Sequence, residues 1–362
     1  MTRQRFNRNV WVSVACRAFA PLATLSGGVF AAPDAPPAPR LSLDLPWTTP
    51  AQPAAAENAE PGLERMIPPT LGLRSAGSNA SPDEDLAAVE GATMVLEFNA
   101  NDLRSLLDRA AAYLRLNRPA EALADLHRAV LVHPSSPDAY LSRGIAHAAA
   151  GRHDLAERDF SETLRLAPDN PDARFNRGIA RLSLGRPADA AEDFTAAIGR
   201  NPDDPAALLS RALCHRRLGA PERARADLDR AIELAPGSPS PFTERGLLLL
   251  ETARPREAIA DFTRAIALDP KQALALYNRG VAHSRLGEHA AAVADYSAAL
   301  AANPSDADAY FNRAKSRRLT GDIPGAIADY EVFIRCAPRS HAPFIRQATE
   351  RIAELKSGTI AP

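Results

Sequence analysis

Two side chains of opposite charge return along the 362-residue chain at a fixed separation. Arg109, Arg143, Arg177, Arg211, Arg245, Arg279 and Arg313 are each followed, sixteen residues on, by Asp125, Asp159, Asp193, Asp227, Asp261, Asp295 and Asp329. A guanidinium holds a carboxylate through two parallel N–H···O bonds, and an apolar helix interface tolerates neither charge alone. The pattern is read as internal ion pairs, with Arg143–Asp159, Arg177–Asp193 and Arg279–Asp295 as examples, fixing how neighbouring elements pack. The competing reading is a row of arginines that binds an acidic ligand. A second polar set, Asn176, Asn278 and Asn312, carries amides that both donate and accept, which suits an extended peptide backbone. His147, His215 and His283 also recur regularly, but at spacings too long to share an ion, so no metal site is read from them. The chain shows no phosphate-cradling glycine loop, no HExxH and no nucleophile elbow. It is read as noncatalytic, with no cofactor and no small-molecule substrate.

The elements that position these groups follow from a 34-residue period that aligns Pro134, Pro168, Pro202, Pro236, Pro270, Pro304 and Pro338 without insertion. Seven copies begin at Leu103, Pro137, Pro171, Pro205, Pro239, Ala273 and Ala307. Within each copy position 8 is Gly or Ala, position 20 is always Ala, and position 24 is Phe, Tyr or Leu. Small residues at two fixed points with one large residue opposite are what two antiparallel helices need to pack closely. Ser136-Pro137, Asn170-Pro171, Asp204-Pro205 and Ser238-Pro239 each join a capping side chain to a proline in the first helical turn. Position 15, mostly Gly, supplies the turn between the helices, and the proline at position 32 ends the second helix.

These residues resemble the tetratricopeptide repeat over residues 103–340: a small residue at 8, Ala at 20, an aromatic at 24 and Pro at 32. The resemblance implies an all-α, right-handed superhelical solenoid of seven tandem helix-turn-helix repeats whose first helices line a concave groove. It implies a peptide-binding groove with Phe175, Tyr277 and Phe311 as floor, Asn176, Asn278 and Asn312 as polar contacts, and Arg217, Lys315 and Arg318 as a basic end. Asp138 and Asp172 would mark the opposite, acidic end. The Lys and second Asn of the family's carboxylate clamp are missing at positions 5 and 9. The expected role is a protein-protein interaction scaffold; the alternative is a self-assembling subunit whose groove takes its own N-terminal segment or another copy.

Outside the array the composition changes. Arg3, Arg5, Arg8 and Arg17 meet no acid in the first 33 residues, and the apolar stretch after them ends in Val29-Phe30-Ala31. Residues 1–32 are read as a secretory signal peptide, which implies an exported, periplasmic protein; a disordered basic tail of a cytoplasmic protein is the alternative. The stretch is too short and interrupted to span a bilayer. Residues 33–80, rich in Pro and Ala, are read as a disordered linker containing two apolar islands, at residues 41–47 and 66–71. Residues 81–102 are expected to form a degenerate half repeat, and residues 341–362 a capping helix and tail, with Phe344, Ile345, Ala348, Ile352 and Leu355 on one face. A formal net charge of −1 gives no sign of a nucleic-acid partner. Cys214 and Cys336 are expected as packed thiols, too far apart for a disulfide.

Overall fold

The computed structural model describes residues 81–338 and 341–358. The expectations for the leader and linker therefore lie outside the described residues. Those residues are all-α, a solenoid of helical hairpins with no strand among them. Helix α1 (Pro82–Phe98) comes first. Fourteen helices follow, alternating strictly between 13 and 14 residues: α2 (Leu103–Arg115), α3 (Pro119–Val132), α4 (Pro137–Ala149), α5 (His153–Leu166), α6 (Pro171–Ser183), α7 (Pro187–Arg200), α8 (Pro205–Arg217), α9 (Pro221–Leu234), α10 (Pro239–Glu251), α11 (Pro255–Leu268), α12 (Ala273–Arg285), α13 (His289–Ala302), α14 (Ala307–Leu319) and α15 (Ile323–Cys336). Helix α16 (Ala342–Ser357) is last. The described chain divides into two compact units, one ending at Ala220 and one beginning at Pro221.

The local signals act where the sequence puts them. Ser136, Asn170 and Asp306 accept the N–H of Ala139, Ala173 and Ala309, capping α4, α6 and α14. The turns between helices place Gly151, Gly185, Gly287 and Gly321 at φ between 70° and 84°. Asn117 and Ala253 adopt the same left-handed conformation at φ 57°, where Ala253 bears a Cβ penalty that glycine avoids.

Hole and knob meet inside each hairpin. A Cβ placed on Gly144, Gly178, Gly246 or Gly280 would lie 2.6–2.8 Å from the ring of Phe160, Phe194, Phe262 or Tyr296. Those rings are wholly buried. Where Ala110 replaces the glycine, the partner at position 24 shrinks to Leu126, so volume is conserved. Ala314 opposite Tyr330 is the departure from that exchange.

The charged pairs lie on the same interface. Asp159, Asp193, Asp261, Asp295 and Asp329 are buried, and each takes two bonds from its arginine, through Nε and Nη2, at 2.6–3.0 Å. The remaining nitrogen, Nη1, turns to the preceding hairpin. Arg177 donates to Ser161, Arg211 to Thr195, Arg279 to Thr263 and Arg313 to Ser297, while Arg245 pairs with Asp229 at 2.7 Å. One planar side chain therefore closes its own hairpin and reaches its neighbour, a geometry lysine could not supply. The bonds to Asp125, Asp159 and Asp261 hold Arg109, Arg143 and Arg245 above the ordinary arginine range, against the opposing effect of burial.

At the far end α16 lays Phe344, Ile345, Ile352, Ala348 and Leu355 on the core around Phe311 and Tyr330. Cys214 is buried, but Cys336 is exposed, contrary to the packed thiol expected there. Position 30 lies in the last turn of each second helix and is half-buried at best, as at Leu166, Leu234 and Leu268.

Candidate peptide-binding face

Within each unit the first helices of successive hairpins touch side by side: α2, α4, α6 and α8 in one, α10, α12 and α14 in the other. Position 6 of these helices carries the asparagines, and all three are buried, at 2%, 1% and 3% exposure for Asn176, Asn278 and Asn312. Their surroundings differ. Asn312 donates to the hydroxyl of Tyr277, on the preceding first helix, at 2.7 Å. Asn278 donates to the carbonyl of Leu274 one turn back, and its Oδ1 has no partner. Asn176 has no partner at either amide atom. The cause is one residue: position 5 of the preceding hairpin is Tyr277 opposite Asn312 and Leu141 opposite Asn176. A buried amide left unpaired costs about 1–3 kcal/mol, so the fold around Asn176 carries a penalty of that order.

The aromatic residues expected to floor the groove are largely taken up by the core. Phe175, Tyr277 and Phe311 are buried and pack against the knobs of their own hairpins, Phe194, Tyr296 and Tyr330, with ring centroids 5.5–5.7 Å apart. Phe311 also meets Phe333 and Phe344. The basic set is partly used by the fold as well. Arg217 donates to the carbonyl of Leu182, at the end of the preceding first helix, at 3.0 Å, and Arg285 repeats this contact with Leu250 at 2.7 Å. Burial lowers the pKa of Arg285. Lys315 places Nζ 5.9 Å from the centroid of Phe311, and the buried Nε of Arg318 has no partner. Asp138 is exposed and Asp172 half-buried.

Position 11 contributes a further cation-capable group that the repeating histidines only hinted at. Arg181 and Arg317 donate to Asp193 and Asp329 at 2.8 and 3.0 Å, so each of these carboxylates faces two guanidinium groups. At the same position His147 and His283 stand 3.9 and 3.8 Å from Asp159 and Asp295. Burial pushes His147 below the ordinary histidine value, only partly opposed by Asp159. No cluster of His, Cys, Asp and Glu among the described residues could hold a metal ion.

The family signature over the same helices resolves the architecture. The sequence profile described as tetratricopeptide repeat matches residues 107–171, 175–239, 243–303 and 283–341. The chain belongs to the tetratricopeptide repeat family. Members generally serve as interaction scaffolds and not as enzymes. No curated protein sequence matches the chain. Among solved structures, the chain is similar to one in the APC/C hetero-tetramer Cut9–Hcn1, with 19% identity and a TM-score of 0.57 over 74% of this chain and 54% of that one. It is also similar to a tetratricopeptide repeat protein from Parabacteroides merdae, with 19% identity and a TM-score of 0.54 over 70% and 98% of the two chains. Yeast Tom70 gives 18% identity and a TM-score of 0.51 over 77% and 60%. The chain thus spans about half the length of the Cut9–Hcn1 chain. At these identities the likenesses show the repeat fold. No helix among the described residues is long and apolar enough to cross a membrane.

Proposed function

We propose that this tetratricopeptide repeat protein is a noncatalytic scaffold that holds an extended segment of a partner protein along the first helices α4, α6 and α8. The observation that carries this reading is Asn176, a buried amide with both atoms unpaired, whereas Asn312 at the same register position is satisfied by Tyr277. Turned out from between the helices, this side chain meets the backbone N–H and C=O of an extended peptide, and bonds made to otherwise orphaned groups favour binding more than bonds that replace water. Export to the envelope of a bacterium is part of the same proposal and rests on the N-terminal arginines and the apolar stretch after them. A mature chain beginning near residue 33 supports export, and an intact Met1 in the fractionated protein contradicts it.

The test of binding uses the full chain, a pool of random-sequence peptides, and the variants Asn176→Leu and Asn312→Leu. Peptides retained by the wild type and by Asn312→Leu but lost from Asn176→Leu support the site. Equal retention by all three proteins overturns it.

A further inference from the structure

The face of α1 that other second helices bury is open. In the register of the array Ala88 is the residue at position 20, which is 0% exposed at Ala122, Ala156, Ala190, Ala224, Ala258, Ala292 and Ala326 because the first helix of the same hairpin lies on it. Ala88 is exposed, and so are Ala87 and Gly91 beside it. Along the same side Met94, Val95 and Phe98 stand 63%, 46% and 91% exposed. Only the opposite side of α1, through Asp85, Ala92 and Leu96, is buried. Small residues in the first half and large apolar ones in the second form a stripe of the kind a packed helix covers.

We propose that residues 66–77 of the chain itself, outside the described residues, cover this stripe as a shortened first helix with an extended lead-in. Three observations select this segment. It ends a few residues before Ser81, the N-cap of α1, so it needs only a short turn to run back along the helix. Counted in the repeat register, it places Pro69 at position 1, Leu73 at position 5 and Ala76 at position 8, as do Pro137, Leu141 and Ala110 in the array. Its charge is also complementary. Arg74 is the one charged residue of 66–77, whereas α1 carries Asp83, Glu84, Asp85, Glu90 and Glu97 and no basic residue. A second copy of α1 laid on the first would bring two acidic helices together. Helix α1 starts three register positions earlier than the other second helices, so the cover is limited to about nine helical residues, roughly 13 Å of rise. Met66 and Ile67, extended ahead of Pro68-Pro69, then reach the level of Met94 and Phe98.

Amide hydrogen exchange on the full chain, read beside its mass in solution, tests the proposal. Residues 70–77 exchange at least ~10-fold more slowly than residues 41–60 of the same chain, and the double variant Leu71→Asp/Leu73→Asp speeds exchange in both 70–77 and 88–98. Exchange of 70–77 at the rate of 41–60 overturns the proposal. So does protection of 88–98 that survives the double variant; accompanied by a dimer's mass, that outcome assigns the stripe to a second copy.

Discussion

The hairpins α6–α7 and α14–α15 are nearly the same machine with one exchanged part. In both, a buried aspartate, Asp193 or Asp329, takes two bonds from Arg177 or Arg313 and a further one from Arg181 or Arg317. In both, the arginine's last nitrogen reaches a serine of the preceding hairpin, Ser161 or Ser297. Each sets an aromatic ring on its knob, Phe175 on Phe194 and Phe311 on Tyr330. Yet Asn312 is satisfied by Tyr277, while Asn176, whose register equivalent of Tyr277 is Leu141, bonds to nothing. The repeat frame is therefore separable from what it presents: the lock is copied, and one neighbour decides whether an amide is paired within the fold.

The largest effects should come from the shared lock. Asp193→Ala and Asp329→Ala each leave two guanidinium groups facing a buried gap, and each should cost about 3–5 kcal/mol in denaturant unfolding. A cost under 1 kcal/mol at both sites would remove the ion pairs from the account of stability, and a large difference between them would break the equivalence of the two hairpins. Next in size is the knob. Gly178→Ala sets a Cβ 2.8 Å from Phe194 and should destabilise by about 1–3 kcal/mol. Pairing it with Phe194→Leu, which copies the Ala110–Leu126 combination, should recover part of that loss.

A smaller effect separates the cation-capable neighbours at position 11. Arg181 pairs with Asp193, whereas His147 is held neutral in the fold because burial lowers its pKa. The unfolded chain protonates this histidine first as pH falls, so the stability tied to neutral His147 is complete above about 6.5 and is lost as pH drops through the lower folded value. His147→Leu should flatten the decline in melting temperature between about pH 7 and pH 5. An unchanged slope would place the pH dependence elsewhere.

Much of the frame was legible because the repeat prints it seven times. Pro137, Pro171, Pro205 and Pro239 begin helices where the cap-proline pairs put them, and the small-to-large pairing of Gly144 with Phe160 is a contact in the fold. The arginine's third bond was not legible, because its partner changes among Ser161, Thr195 and Asp229 and belongs to the preceding repeat. Position 5 was misleading in a similar way. Phe175 and Phe311 sit on the helix that the family turns toward its groove, but their rings fold back onto the knob of their own hairpin. The state of Asn176 depends on a residue thirty-five positions earlier, and nothing in a single repeat announces that Leu141 stands where Tyr277 does.

Asn176→Leu, made in the full chain and followed by both unfolding and peptide binding, tests the central claim most directly. With no ligand present, the variant should be as stable as the wild type or more so by about 1 kcal/mol, since an orphaned amide is removed, while Asn312→Leu loses about that much. Peptide binding should disappear from Asn176→Leu and survive in Asn312→Leu. Loss of stability in Asn176→Leu with binding intact would make the amide part of the frame and leave the peptide site to another face.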